Sequence, residues 1–195
     1  MNSISEIETP NELLHGLGPI WAATRVANPD FTLCTPVTFD GRAGFTAIAD
    51  AWRSSVFTPV LLPALRAALH HGRSGELREL AALDRRLSEE LDPQAREGSL
   101  RAGRNLAARG GDLRGDRILP RIAEAIRTGT MPGHLAIVFA ARCAVFSLPD
   151  RVAAGAYLFQ EISAGAPHAR VIDVCNFVSE CIEPLGGSSL ELRAA

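Results

Sequence analysis

The chain contains no lysine: all 20 of its Lys/Arg residues are arginine. That removes Schiff-base lysines, lysine general bases and the phosphate-binding lysine of P-loop nucleotide sites. Long apolar runs are also missing. The longest uncharged stretch, Thr128 to Ala141, spans 14 residues and includes Pro132 and Gly133, whereas a membrane-spanning helix needs about 20 apolar residues. The opening MNSISEIETP has two glutamates and neither a basic nor an apolar block, so no secretory signal is expected and the expected location is the cytoplasm. Cys34, Cys143, Cys175 and Cys181 include no C-x-x-C pair, so buried reduced thiols are expected, with neither a disulfide framework nor a structural zinc site. A nucleophile elbow, H-E-x-x-H and a GxGxxG before a helix are all absent.

What remains is an ordinary globular composition. The 195 residues suit one domain, with 47% apolar residues, 22% charged residues and a net charge of −2. The charge balance speaks against a broad electrostatic grip on nucleic acid or on anionic lipid.

The pattern along the chain predicts a single-domain, all-α helical bundle of about eight helices with a short extended N-terminal segment. Thr9-Pro10-Asn11-Glu12 reads as a capping box for a first helix. Residues 28–41, with alternating Phe31, Leu33, Val37 and Phe39, fit a hairpin, an extended arm or a packed loop. Helical periodicity then persists. Phe45, Ile48, Ala49, Trp52 and Val56 form one face; Leu61, Leu62, Leu65, Ala68 and Leu69 form a second, with Pro63 near a helix start and Gly72 as its end. From Glu76 to Leu91 the leucines at 77, 80, 83, 87 and 91 point inward, with Arg78, Asp84, Arg85 and Glu89 outside. Asp92-Pro93 caps the next helix, with Ala95, Leu100, Gly103 and Leu106 buried. RGGDLRG, residues 109–115, is the expected mobile loop. Ile118 to Gly129 resumes helix. Gly133 to Leu148, with Arg142 as its one charge, is expected at the centre of the bundle or in a subunit interface. Ser147-Leu148-Pro149-Asp150 caps a helix carrying Val152, Ala156, Phe159 and Ile162, and a last helix runs from Val171 to Ile182. Residues 1–42 read as an arm and 186–195 as a tail.

Few of these residues suggest chemistry. Adjacent His70 and His71 point about 100° apart on a helix, so they suit a solvated helix end better than one metal ion. His134, beside Pro132-Gly133, fits a backbone-bonded structural role. Arg96 to Arg127 holds eight arginines against four acids. That local excess of positive charge could receive phosphate or an acidic protein surface, or could simply be solvated. Without interleaved aromatics it does not suit nucleic acid.

Three stretches resemble a known family: AREGSLRAGRNL (95–106), MPGHLAIVFAARCAVFSL (131–148) and AYLFQEISAGAPHARVI (156–172). The UreF family of urease accessory proteins has an S-L-x-x-G-R-x-L helix, matched here by Ser99, Leu100, Gly103, Arg104 and Leu106. A Pro followed by an apolar G/A-L-A-A-R-A-x-G-L helix is approximated by Pro132, Ala140, Ala141, Arg142 and Leu148. A third helix ending in small residues and an Arg is approximated by Ser163, Gly165, Pro167, Ala169 and Arg170. ELRELAALDRRLSEEL also resembles the family's L-A-A-L-D segment. The resemblance covers about Phe45 to Glu183. Two departures stand out: the family's N-terminal L-P-x-G-x-F-x-x-S-x-G-L-E is missing, and only Pro184, Leu185 and Gly186 match its C-terminal ending.

The resemblance implies a homodimer without catalytic residues, cofactor or metal of its own. Such a protein bridges a UreD/UreH-like scaffold and a UreG-like GTPase so that nickel reaches apo-urease, with no role for membrane or nucleic acid. Apolar faces carrying Trp52, Leu61, Leu65 and Leu69 also suggest self-association. Candidate partner-binding residues are Arg101, Arg104, Arg114 and Arg170. The altered N-terminal third motivates the alternative: the same scaffold repurposed as a small-molecule biosynthetic enzyme, with a pocket near His134, Cys143, Tyr157 and His168, or as a stabilising partner of another enzyme.

Overall fold

A computed structural model describes residues 44–109, 117–166 and 169–185. The fold is all-α, with no strand among the described residues. The arm at 1–42, the extended segment at 28–41, the loop core and the tail expected from the sequence lie outside them.

The first rod is α1, Phe45–Trp52, which passes through a π-helical segment, Arg53–Leu61, into α2, Leu62–Ser74, without a break. Pro63 falls in the first turn of α2, near a helix start as the sequence reading placed it, although the rod runs into that helix without interruption. Pro59 lies inside the segment. A proline there lacks an N–H and would clash with the preceding turn of an α-helix, a strain that a wider turn relieves. Ser54 and Ser55 donate their hydroxyls to the carbonyls of Asp50 and Ala51 at 2.8 and 2.7 Å, so both side chains bond back onto the preceding turn.

Gly72 does not end α2, contrary to the sequence reading. The left-handed residue that closes the helix is Gly75, at φ 70°. Gly72 is instead a point of close approach, where an added Cβ would come within 2.8 Å of the Ala144 Cβ and 3.3 Å of the Ala141 Cα.

Then follow α3, Leu77–Glu90; α4, Pro93–Ala108; α5, Ile118–Arg127; α6, Leu135–Val145; α7, Asp150–Gly165; and α8, Val171–Ile182. Asp92 caps α4 as expected, its carboxylate accepting from the N–H groups of Gln94 and Ala95, both at 3.0 Å. Pro149 occupies the N-cap position of α7, and no side chain caps that helix, so Ser147 does not act as the cap the sequence suggested.

The core is built around α6, which packs chiefly against α2 and α4. Every residue of α6 from Leu135 to Ala144 is buried, including Arg142, which matches the expectation from its near-continuous apolarity. Small residues make this packing possible: Gly72 on α2 meets Ala141 and Ala144 on α6, bringing the two backbones close. The burial of α7 exceeds the stripe expected of it, since Ala153 to Ile162 are all buried, Gln160 and Glu161 included.

Candidate functional site: a buried hub under an arginine face

A helix starts with N–H groups that its own turns cannot satisfy, and at the start of α6 those groups are buried. His134 is the N-cap residue and its side chain does not cap the helix. The acceptors come from other helices. Asp84 of α3 takes the N–H of Gly133 on one carboxylate oxygen and the N–H of His134 on the other, the latter at 2.9 Å. Ser99 of α4 takes the N–H of Leu135 on its hydroxyl at 3.2 Å. Three successive donors are thus satisfied from two neighbouring helices.

Asp84 is 0% exposed, which corrects the sequence reading that set it on the outer face of α3. Position 84 falls four residues after Leu80 and three before Leu87, on the buried stripe itself. Burial pushes its carboxyl up to about 6, against the opposing pull of the Gly133 and His134 N–H groups and then of Arg104 and Arg85. At neutral pH the carboxylate is ionised, and it lies where the positive end of the α6 dipole favours a negative charge.

His134 is equally buried, with Nε2 2.7 Å from the Ser88 hydroxyl. Burial first, then Arg96 and Arg104, push its imidazole down to about 4, so the ring is neutral at physiological pH.

The family-like spacing of Ser99, Gly103 and Arg104 acquires a physical reason here. Gly103 lies against the link into α6, where a Cβ would fall 2.5 Å from the Leu135 nitrogen and 2.6 Å from the His134 carbonyl carbon. Only glycine lets α4 approach so closely. Arg104, one residue on, donates its Nε–H to the Pro132 carbonyl at 2.9 Å and remains exposed at the surface. All three residues serve the Pro132–Leu135 link. The sequence held the signal for Asp84 as well, a lone acid in phase with leucines.

The other candidates fall in different places. Arg101 is exposed on α4. Arg170 precedes α8 and forms a two-bond pair with Asp173, at 2.8 and 2.7 Å. Arg114 and His168 lie outside the described residues. Cys143 is completely buried near the far end of α6, where burial holds its thiol well above the usual range. Nine residues of helix, about 13 Å, separate it from His134. Tyr157 of α7 is buried edge-on to Phe139, ring centroids 5.6 Å apart, and lines a small cavity with Trp52, Leu91 and Ser99. The structure does not gather His134, Cys143 and Tyr157 around one chamber. His71 pairs through Nδ1 with Glu76 at 2.6 Å, and among the described residues no three His, Cys, Asp or Glu side chains are placed to hold a metal ion. No helix among them is long and apolar enough to cross a membrane.

Fold and hub together define a helical protein whose buried Asp84 and Ser99 hold the start of its central helix, with Arg101 and Arg104 exposed beside it. The chain matches the UreF family over residues 45–164, more than half its length. It belongs to the UreF family, whose members are urease accessory proteins working with other accessory proteins. Comparison with curated proteins and with solved structures gave no match.

Proposed function

We propose that this chain is the bridging component of urease maturation, a homodimer that joins a UreD/UreH-like scaffold to a UreG-like GTPase so that nickel, the cargo, reaches apo-urease. The observation that carries the reading is the family match, which runs from α1 to the end of α7 and so takes in the whole hub. The arrangement of polar groups supports it. Asp84, Ser88, Ser99 and His134 are engaged in holding α6, while Arg101 and Arg104 face solvent, the disposition of a binding scaffold. We assign Arg101 and Arg104 to the partner interface, together with Arg114 from the same basic stretch and Arg170 at the start of α8. Interfaces of this kind combine buried apolar contact with charges that set orientation and register.

The test is complementation combined with capture. In a urease-positive bacterium lacking its own UreF-type protein, this chain should restore nickel-dependent urease activity. The purified protein should sediment as a dimer and retain both the scaffold and the GTPase. A monomer that retains neither and restores no activity would overturn the reading.

A further inference from the structure

We infer that the outer faces of α4 and α5 form a docking surface for a carboxylate-rich protein partner, held by Arg101, Arg104, Arg117 and Arg121. The inference rests on the bridging function proposed above in one respect, that the partner assigned to this surface is the GTPase.

The argument begins with how the exposed arginines are used. Arg53 pairs with Asp50, Arg73 with Asp150, Arg86 with Glu90, Arg127 with Glu124 and Arg170 with Asp173, all within 3.0 Å. Arg101, Arg117 and Arg121 are exposed and form no ion pair with any described residue. Arg78 and Arg85 on α3 and Arg151 on α7 also form no ion pair with a described residue, though Arg85 donates to the Thr130 carbonyl at 3.1 Å. The largest group, Arg101, Arg104, Arg117 and Arg121, lies on α4 and at the start of α5, which pack against each other. Glu124 is already neutralised by Arg127 through bonds of 2.8 and 2.6 Å. That leaves Glu97 as the one acid on α4.

Spacing and rigidity suit carboxylates. Arg101 and Arg104 stand at i, i+3 on α4, a spacing that places Cβ atoms about 5–6 Å apart, and Arg117, the N-cap residue of α5, stands four residues before Arg121. Each guanidinium can hold a carboxylate by two parallel bonds. The platform under them is fixed, because Ser99 and Gly103 lock α4 onto the start of α6. Arg104 is further held by its Nε–H bond to the Pro132 carbonyl. Pre-ordered side chains lose less entropy on binding. Nucleic acid is the weaker fit: α4 and α5 contain no aromatic residue on which a base could stack, and the whole chain is net negative.

The test compares the full wild-type chain with the triple variant Arg101→Glu, Arg117→Glu, Arg121→Glu, leaving Arg104 and its Pro132 bond intact. Four probes are used at low salt: a UreG-type GTPase, a UreD/UreH-type scaffold, poly-L-glutamate and a short DNA duplex. The variant should keep the wild-type melting temperature and scaffold binding while losing about tenfold or more in affinity for the GTPase and for poly-L-glutamate. If the glutamates prevent folding, the corresponding glutamine variant should show the same losses at smaller size. Poly-L-glutamate retained equally by wild type and variant would overturn the inference, as would a wild type that prefers the DNA duplex to poly-L-glutamate. A wild type that binds neither accessory protein, yet binds poly-L-glutamate through these arginines, would defeat the bridging function and leave the surface standing.

Discussion

Asp84→Asn tests the hub most directly, because it removes the buried charge and keeps the shape. In the folded chain the Asp84 carboxyl titrates near 6, against an ordinary 3.8. Since the folded value lies above the unfolded one, the folded state binds the proton more tightly. The contribution of Asp84 to stability is therefore fully present below about pH 4 and is lost as the pH rises through 6, a change of about 3 kcal/mol. Asparagine does not titrate. Its carbonyl can accept one of the two N–H groups that Asp84 serves, but its amide then meets the other, donor against donor, at a cost of about 1–3 kcal/mol. Urea unfolding of both proteins at a series of pH values should show wild type ahead by its largest margin near pH 4. That margin should shrink by about 3 kcal/mol by pH 7.5. Asp84→Ala should lose roughly 2–6 kcal/mol at neutral pH, because two buried donors are orphaned at about 1–3 kcal/mol each. A margin between wild type and Asp84→Asn that stays flat from pH 4 to 7.5, or widens as the pH rises, would refute the account, since it would mean that the two N–H bonds outweigh desolvation.

Three further outcomes follow from close packing. Gly103→Ala puts a methyl group where the Leu135 nitrogen already lies, and should destabilise the fold by about 3 kcal/mol or more in urea titration; a loss under 1 kcal/mol would show that α4 can slide away. Gly72→Ala brings a Cβ within 2.8 Å of the Ala144 Cβ, should cost about 1–3 kcal/mol, and should be relieved by adding Ala144→Gly, so a second substitution that worsens the loss would count against the contact. Cys143, buried with its thiol pushed well up, should resist iodoacetamide in the native chain at pH 8 and react once urea is added, as read by peptide mass spectrometry; equal labelling in both states would show that the end of α6 opens readily.

Much of the fold is legible in the sequence because the physics is local. The leucine stripe of α3, the Asp92-Pro93 cap of α4 and the unbroken apolarity of α6 are matters of spacing within one element, and each appears in the structure where spacing puts it. The misreadings share a different cause. Asp84 looks like a solvated acid until two N–H groups from residues 49 and 50 positions away arrive beside it. Gly72 looks like a helix stop until α6 crosses it. In both instances the deciding partner is remote in sequence. The arginine surface was half legible: charge excess can be counted, but which arginines are already paired depends on rotamers and neighbours, as Arg170 with Asp173 illustrates.

The two buried titratable groups of the hub act in opposite directions, and this gives the most demanding prediction. His134 is pushed down to about 4 from an ordinary 6.5, so its stabilising contribution is present above pH 6.5 and is lost as the pH falls toward 4, by roughly 3 kcal/mol. Asp84, with its folded value near 6, loses its contribution over nearly the same range as the pH rises. Around the start of α6 the two slopes offset each other, so the junction holds about the same strength from pH 4 to 6.5. Removing either group should uncover the other. Asp84→Asn leaves the histidine and should make stability rise with pH relative to wild type. His134→Gln leaves the carboxylate and should make stability fall with pH relative to wild type. The double variant should run parallel to wild type, shifted down by a constant amount, because the rest of the chain titrates identically in all four proteins. Urea unfolding of the four proteins at pH 4, 5, 6 and 7 decides the matter. Single variants that both run parallel to wild type would mean that neither group changes its proton affinity on folding, and the hub would then be held by hydrogen-bond geometry alone.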